Sequence, residues 1–412
     1  MSTGDPLLAR RAAFPILDRT TYLISNSLGA MPAEVPRALA AYADEWATRG
    51  VRAWEDGWWE VGMETGDLLA PILGAPSGSV VMHQNVTVAS AVVRSCFDFE
   101  GARNKIVMVE PEFPSVLYLW EGARRLGAEI ERVPASDDGL AVDLERLLDA
   151  IDERTAIVPV SHVLFRSAFV MDAEAICARA REVGARVCLD VFQSAGTVPL
   201  ELERWGADFA VGGCLKWLCG GPGNAFLYVR EDLHDELEPH LTGWQAAARP
   251  FDFEPVLERS ESAWRFLTGT PNVLAHYAAR PGLEIVGEIG VEAIREKSRR
   301  LTAATVERAD ALGIAVATPR DPDRRGGTVT LAPPAAERVA RDLLEEEVLI
   351  DHRPGAGIRL SPHFYNTEEE VVRAVDRMAD RARSGIEDAG TDRRAPREDP
   401  SRVATDPRER YE

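Results

Sequence analysis

Lys216 lies in the run Val211-Gly-Gly-Cys-Leu-Lys216-Trp-Leu-Cys-Gly-Gly-Pro-Gly-Asn-Ala-Phe-Leu-Tyr-Val229, where a solvated ammonium would be out of place. Desolvation lowers the pKa of a lysine and makes its amine nucleophilic. Twenty-six residues upstream, Arg186-Val-Cys-Leu-Asp190 ends in an acid and is followed by Val-Phe-Gln193. Taken singly, Lys216 would read as a surface lysine and Asp190 as a strand-end or helix-cap acid. Together, with the turn Gly220-Gly-Pro-Gly223 beyond them, they suit pyridoxal 5'-phosphate (PLP). The lysine would form a Schiff base with the aldehyde, and the acid would hold a proton on the ring nitrogen so that the ring acts as an electron sink. An enzyme that processes a small-molecule amino acid follows from that reading.

Other residues fit the same chemistry. Gln193 could donate from its amide to the cofactor's phenolic oxygen, or be a polar turn residue. Thr87, in His83-Gln-Asn-Val-Thr87, follows the apolar run Val80-Val-Met82. A hydroxyl and free N–H groups at a strand-to-helix turn make a phosphate cradle, to which Asn85 and Val86 can add backbone donors; a plain N-cap is compatible with that role. Phe113, in Glu110-Pro-Glu-Phe113-Pro-Ser115, could stack on the cofactor ring or fill the core. Arg359, in Gly357-Ile-Arg359-Leu-Ser-Pro-His363, could clamp a substrate α-carboxylate, although its position alone suits a salt bridge. The seven histidines show no metal-ligand spacing, and no P-loop or dinucleotide fingerprint is present.

These side chains need a scaffold, and composition bounds it. A chain of 412 residues exceeds one ordinary core, so two domains in one body are expected. Apolar content of 45% and charged content of 28% fit a soluble globular protein. A net charge of −20 argues against nucleic acid and against an anionic membrane as partners. The five cysteines, Cys96, Cys177, Cys188, Cys214 and Cys219, are sparse and sit mostly in apolar runs. That suits reduced thiols and a cytoplasmic location. The N-terminal Met-Ser-Thr-Gly-Asp-Pro has no signal-segment character, and no run is long and apolar enough for a membrane span.

Between residues 65 and 282 short apolar runs alternate with helical periodicity. The runs include Lys105–Val109, Ile157–Val160, Val187–Asp190, Phe209–Val211 and Ala225–Val229. Such alternation predicts an α/β large domain whose mostly parallel sheet is flanked by helices. Ligands of such sheets bind beyond the carboxyl ends of the strands. A long helical stretch over Glu284–Ala311 opens a smaller α+β domain covering 283–383, with strands at Thr328–Leu331 and Ile358–Leu360. Residues 1–64 are expected to contribute to the small domain and the active site. Residues 384–412, polar and rich in Gly, Asp, Arg and Pro, read as a disordered tail.

The motifs together resemble the class V aminotransferase superfamily of fold-type I PLP enzymes, and within it kynureninase. The resemblance spans about residues 10–383 and implies a seven-stranded large-domain sheet. It rests on Tyr22-Leu-Ile-Ser-Asn-Ser-Leu-Gly-Ala30, on Trp46…Arg49-Gly50…Trp54, on Phe113-Pro-Ser115, on Ser161-His-Val163 and on the Asp190–Lys216–Gly223 core. By that likeness Phe113 stacks on the cofactor, Ser115 and Val86 join its binding site, and Asn26 and Ser27 lie at the substrate. It also implies a homodimer with shared active sites, Trp244 and Thr270 reaching the phosphate from the partner subunit. The implied reaction is hydrolysis of the Cβ–Cγ bond of a kynurenine-type β-acyl amino acid to alanine and an aromatic acid.

Three positions depart from the kynureninase pattern. Leu215 precedes the lysine where a tyrosine is usual. Gln193 replaces a histidine, giving the aspartate-x-x-glutamine of cysteine desulfurases and isopenicillin N epimerase-like proteins. Ser161-His-Val-Leu-Phe-Arg166-Ser-Ala168 lacks the usual asparagine-tyrosine and glycine. An aminotransferase, epimerase or β-lyase, including a C–S lyase, is therefore the alternative. No cysteine follows Cys219 to supply the mobile thiolate of a desulfurase.

Overall fold

The computed structural model describes residues 5–391 of the chain. Its largest sheet is built from β1 (Val80–His83), β2 (Lys105–Val109), β3 (Glu129–Val133), β4 (Thr155–Ser161), β5 (Arg186–Asp190), β6 (Phe209–Gly213) and β7 (Ala225–Val229). The spatial order is β1-β7-β6-β5-β4-β2-β3. β2 to β6 pair in parallel, while β7 runs antiparallel to both β6 and β1. The central strands are apolar throughout because both faces are covered. Val158, Val160 and Leu189 enter the core on one side, and Ile157, Cys188 and Val211 the core on the other.

Helices α1 (Val35–Arg49), α2 (Val61–Leu73), α3 (Val86–Arg94), α4 (Pro114–Glu121), α5 (Leu144–Ala150), α6 (Ala173–Val183) and α7 (Leu202–Trp205) precede or connect these strands. Their starts are legible locally. Asn85, Asp143 and Asp172 each accept from the backbone N–H three residues on, and Pro114 opens α4. After β7 come α8 (Val273–Ile289) and α9 (Val291–Ala311). The single helical stretch expected there is interrupted at Gly290, whose φ of 82° lies in the left-handed region. Residue 282, the expected end of the large domain, lies inside α8. A side chain on Gly282 would lie 2.5 Å from the carbonyl oxygens of Leu218 and Cys219, so this helix packs backbone-close on the lysine turn.

The C-terminal part has its own core around Leu331, Ile358 and Met378. It contains β8 (Ala315–Val316), β9 (Val329–Ala332), α10 (Ala336–Glu345), β10 (Asp351–Arg353), β11 (Gly357–Leu360) and α11 (Glu368–Thr391). Its four-stranded sheet has the order β10-β11-β9-β8, all antiparallel. The N-terminal segment attaches here: Thr21–Tyr22 pair in parallel with Val348–Leu349, and Ile24 bridges to Ser361. α11 runs to Thr391, past the expected start of the tail at 384. Val371, Val375 and Met378 hold its inner face in the core, and a helix so anchored extends beyond its last buried residue. The rest of the expected tail lies outside the described residues.

β3 and the short β8 and β10 escape sequence reading. In β3, Glu129, Glu131 and Arg132 are exposed and only Val133 is buried, so an edge strand carries little apolar signal.

Candidate active site

Every strand end that matters opens on one edge of the large sheet. Ser161 and Asp190, the last residues of β4 and β5, are register partners. β6 ends at Gly213, just before Lys216, and the reversed β7 starts at the same edge, after the glycine turn. A cavity of about 380 Å³ lies there. Thr87, Val86, Ser115, Phe113, Asp190, Gln193 and Lys216 all line it, so seven of the sequence-derived residues converge.

Lys216 is the nucleophile candidate. Burial pushes its pKa down to about 8; Asp190 opposes that shift, while Arg359 and Arg353 add to it. Its Nζ stands 5.7 Å from the Phe113 ring centre and 4.3 Å from that of Phe192. Asp190 is buried, and one carboxylate oxygen accepts from the Phe192 N–H at 2.8 Å. Burial raises its pKa, against the pull of that N–H and of Lys216. Phe113 caps α4, is 42% exposed, and meets Phe165 edge-on at 5.3 Å, so one ring face is open to a ligand.

Gln193 is fixed by both ends of its amide. Its Oε1 accepts from Trp217 Nε1 at 3.1 Å, and its Nε2 donates to the Asn26 carbonyl at 3.0 Å. The second N–H on Nε2 is left for a cavity ligand, so Gln193 can still act there as a donor. At α3, Asn85 takes the Val88 N–H, and the first-turn N–H groups of Val86 and Thr87 have no intrahelical partner. That is an anion cradle.

The N-terminal turn braces the lysine from the other side. Gly29 N–H donates to the Leu215 carbonyl at 2.8 Å, and a side chain on Gly29 would lie 2.1 Å from the Lys216 carbonyl oxygen. Only glycine permits that approach. Asn26 is buried with both side-chain polar atoms lacking a partner, while Ser27 is half-buried beside it; neither lines the cavity. His363 Nε2 donates to the Trp217 carbonyl at 2.7 Å, tying the small domain to the same turn.

Arg359 is placed by a partner that sequence reading missed. Its Nε donates to Asp351 Oδ1 at 2.8 Å, its Nη2 to Asp351 Oδ2, and its Nη1 to the Phe165 carbonyl at 2.7 Å. Of five N–H groups three are used, leaving one hydrogen on each terminal nitrogen. Arg359 is thus salt-bridged and keeps an end-on pair of donors, but it does not itself line the cavity. The available signal was the cross-strand pairing of Asp351 with Arg359, which needs the register of β10 and β11.

Glu112 was also missed. It is buried, its Oε1 accepts from Ser161 N–H at 2.7 Å, and its Oε2 is bonded to the Ser161 hydroxyl. Burial, reinforced by nearby Asp190, pushes its pKa up to about 8 despite those bonds. Its position before Phe113 was the only hint. Five expected residues are absent from the cavity lining: Asn26, Ser27, Arg359, Trp244 and Thr270. Trp244 is 40% exposed and packs on Trp59 at 4.8 Å, and Thr270 is exposed. Within one chain neither reaches Lys216, because both ride on the 240–272 segment outside the sheet edge.

Residues 21–374 match the family described as Aminotransferase class-V. The chain belongs to the class V aminotransferase family. It is 32% identical over 388 residues to a kynureninase of Bacillus thuringiensis subsp. konkukian (strain 97-27), covering 90% of each chain. It is 32% identical over 388 residues to a kynureninase of Pseudomonas fluorescens, covering 91% of this chain and 92% of the other. These make it a kynureninase-like member. Among solved structures it resembles an apo cysteine desulfurase from Thermococcus onnurineus NA1, with a TM-score of 0.82, 24% identity and coverage of 93% and 99%. That likeness carries the fold: a fold-type I architecture with a large, mostly parallel sheet and a C-terminal small domain.

The family's cofactor is PLP, and the residues present fit it. A lysine of lowered pKa, a buried acid with one oxygen unbonded, an open aromatic face and an anion cradle are the four things it needs. Among the described residues no cluster of His, Cys, Asp or Glu could hold a metal, and no helix is long and apolar enough to cross a membrane.

Proposed function

We propose that this enzyme is a PLP-dependent hydrolase of the kynureninase type, cleaving the Cβ–Cγ bond of a β-acyl amino acid to alanine and an aromatic acid. The observation that carries the reading is likeness to kynureninases over nine-tenths of both chains. When bound, the cofactor supplies an electron sink for negative charge at the substrate Cα. Lys216 would hold it covalently and supply the amine that moves the proton at Cα. Asp190 would keep a proton on the ring nitrogen. Val86 and Thr87 would hold the phosphate, Phe113 would cover the ring, and Gln193 would have an N–H to offer the phenolic oxygen. Arg359 keeps two terminal N–H groups for the α-carboxylate, and Asn26 and Ser27 would serve the substrate from the N-terminal turn, all three standing outside the cavity lining of the single chain. Val163, Phe165 and Leu215 give the cavity an apolar wall suited to an aromatic acyl group. Leu215 cannot donate a proton, so a water or another donor would fill the role of the usual tyrosine.

The working unit on this reading is a homodimer in which Trp244 and Thr270 reach the partner's cavity. The exposed Trp244, Phe251, Phe253 and Val256 support it, since such a patch is costly to leave in water.

Gln193 favours a second reading, a C–S lyase or another class V reaction. A desulfurase using a cysteine nucleophile is poorly supported. Cys177, Cys214 and Cys219 are buried with thiols pushed up to about 12. The deciding assay gives the PLP-loaded protein kynurenine, 3-hydroxykynurenine and cystine in parallel. Anthranilate or its hydroxy analogue, with alanine, is expected; sulfide release or keto-acid formation without either would overturn the proposal.

A further inference from the structure

Phe192 follows Asp190 by two residues and is absent from every role given above, yet three observations tie it to the chemistry. Its N–H is the donor that occupies Asp190 Oδ1, at 2.8 Å. Its ring centre lies 4.3 Å from Lys216 Nζ, nearer than that of Phe113 at 5.7 Å, and both rings line the cavity. Its ring occupies space that a side chain at 213 would need: a methyl group there would stand 2.4 Å from Phe192 Cζ and 2.8 Å from Cε2. Gly213 has no unusual backbone angle to explain it, so the missing side chain is explained by the ring.

We propose that Phe192 is a second aromatic wall of the cofactor slot, that Gly213 is what admits it, and that the pair positions the cofactor ring against the Lys216 amine. A flat ring fastened by its own backbone to Asp190 cannot drift from the acid that must meet the ring nitrogen. Lys216 then works between two aromatic faces. The inference depends on the cofactor and holds for any reaction of the family, so it stands or falls apart from kynurenine hydrolysis.

The test is a titration of apo-protein with PLP, followed by visible circular dichroism of the bound chromophore, which reports ring orientation. Phe192→Ala is expected to weaken PLP binding about 3- to 10-fold and to change the dichroism. Phe192→Tyr should restore both. Gly213→Ala should weaken binding in the wild-type background and much less in the Phe192→Ala background, because only the milder approach to the Asn224 carbonyl oxygen, 3.2 Å, then remains. Should Phe192→Ala fail to fold, Phe192→Leu, which keeps bulk without a flat face, carries the same expectation. Wild-type affinity and dichroism in the alanine or leucine variant would overturn the proposal. So would a Gly213→Ala penalty of equal size in both backgrounds.

Discussion

Replacing Asp351 by asparagine should separate the two things Arg359 does. The arginine side chain is 3% exposed and that of Asp351 12% exposed, so the pair is nearly dry. Breaking a buried pair typically costs about 3–5 kcal/mol, because the remaining charge is left uncompensated. Asparagine keeps the volume and one acceptor, and Arg359 retains the Phe165 carbonyl, so about 3 kcal/mol is expected. Unfolding entropy of about 2 cal/mol/K per residue converts that to a fall in melting temperature of about 4 °C. Calorimetry of the PLP-loaded protein reads it. The loosened guanidinium should also raise KM for the amino acid turned over about tenfold, with kcat little changed, as removal of uniform binding does. Asp351 also holds the Lys216 pKa up, so its loss should lower that pKa further. An unchanged melting temperature together with an unchanged KM would show that Asp351 neither stabilises nor aims Arg359.

Other expectations follow from the same geometry. Apo-protein should capture PLP at a rate that climbs with pH and levels off above about 8, because the neutral amine attacks and burial sets its pKa there; rapid mixing at a series of pH values reads the inflection, and one near 10 would contradict the burial argument. Glu112 keeps its proton to about 8 in the fold but sheds it near the ordinary glutamate value when unfolded. Folding therefore takes up a proton between those values, and stability falls as pH rises from about 5 to about 8; Glu112→Gln should flatten that slope in denaturant titrations. Gly29→Ala drives a methyl group to 2.1 Å from the Lys216 carbonyl oxygen, so it should cost several kcal/mol or dislodge the N-terminal turn, seen as faster proteolysis ahead of residue 35 and lost turnover.

How much of this was legible beforehand depended on the range of the interaction. Asp190, Lys216 and the glycine turn announce themselves within short runs, because a strand end and a tight turn are written in neighbouring residues. Thr87 and Phe113 were legible because each follows an apolar strand, and parallel strands bring their carboxyl ends to one edge. Asp351 was opaque, since its meaning comes from register with Arg359 rather than from its neighbours. Glu112 was opaque because its burial is set by the fold and its partner Ser161 lies nearly fifty residues away. Phe192 looked like one more apolar residue until Gly213 was seen to yield to it. The glycine at 290 was in plain view, but a single glycine within a helical pattern is weak evidence for a break.

The parallel pairing of Thr21–Tyr22 with Val348–Leu349 bears on how the enzyme is made. On the ribosome the large sheet can assemble as soon as its strands emerge, and the slot around Lys216 with it. The opening residues of the chain must wait unpartnered until their mates, synthesised more than three hundred residues later, leave the exit tunnel. Nascent protein should therefore gain a cofactor pocket before the Thr21–Tyr22 strand finds its partner.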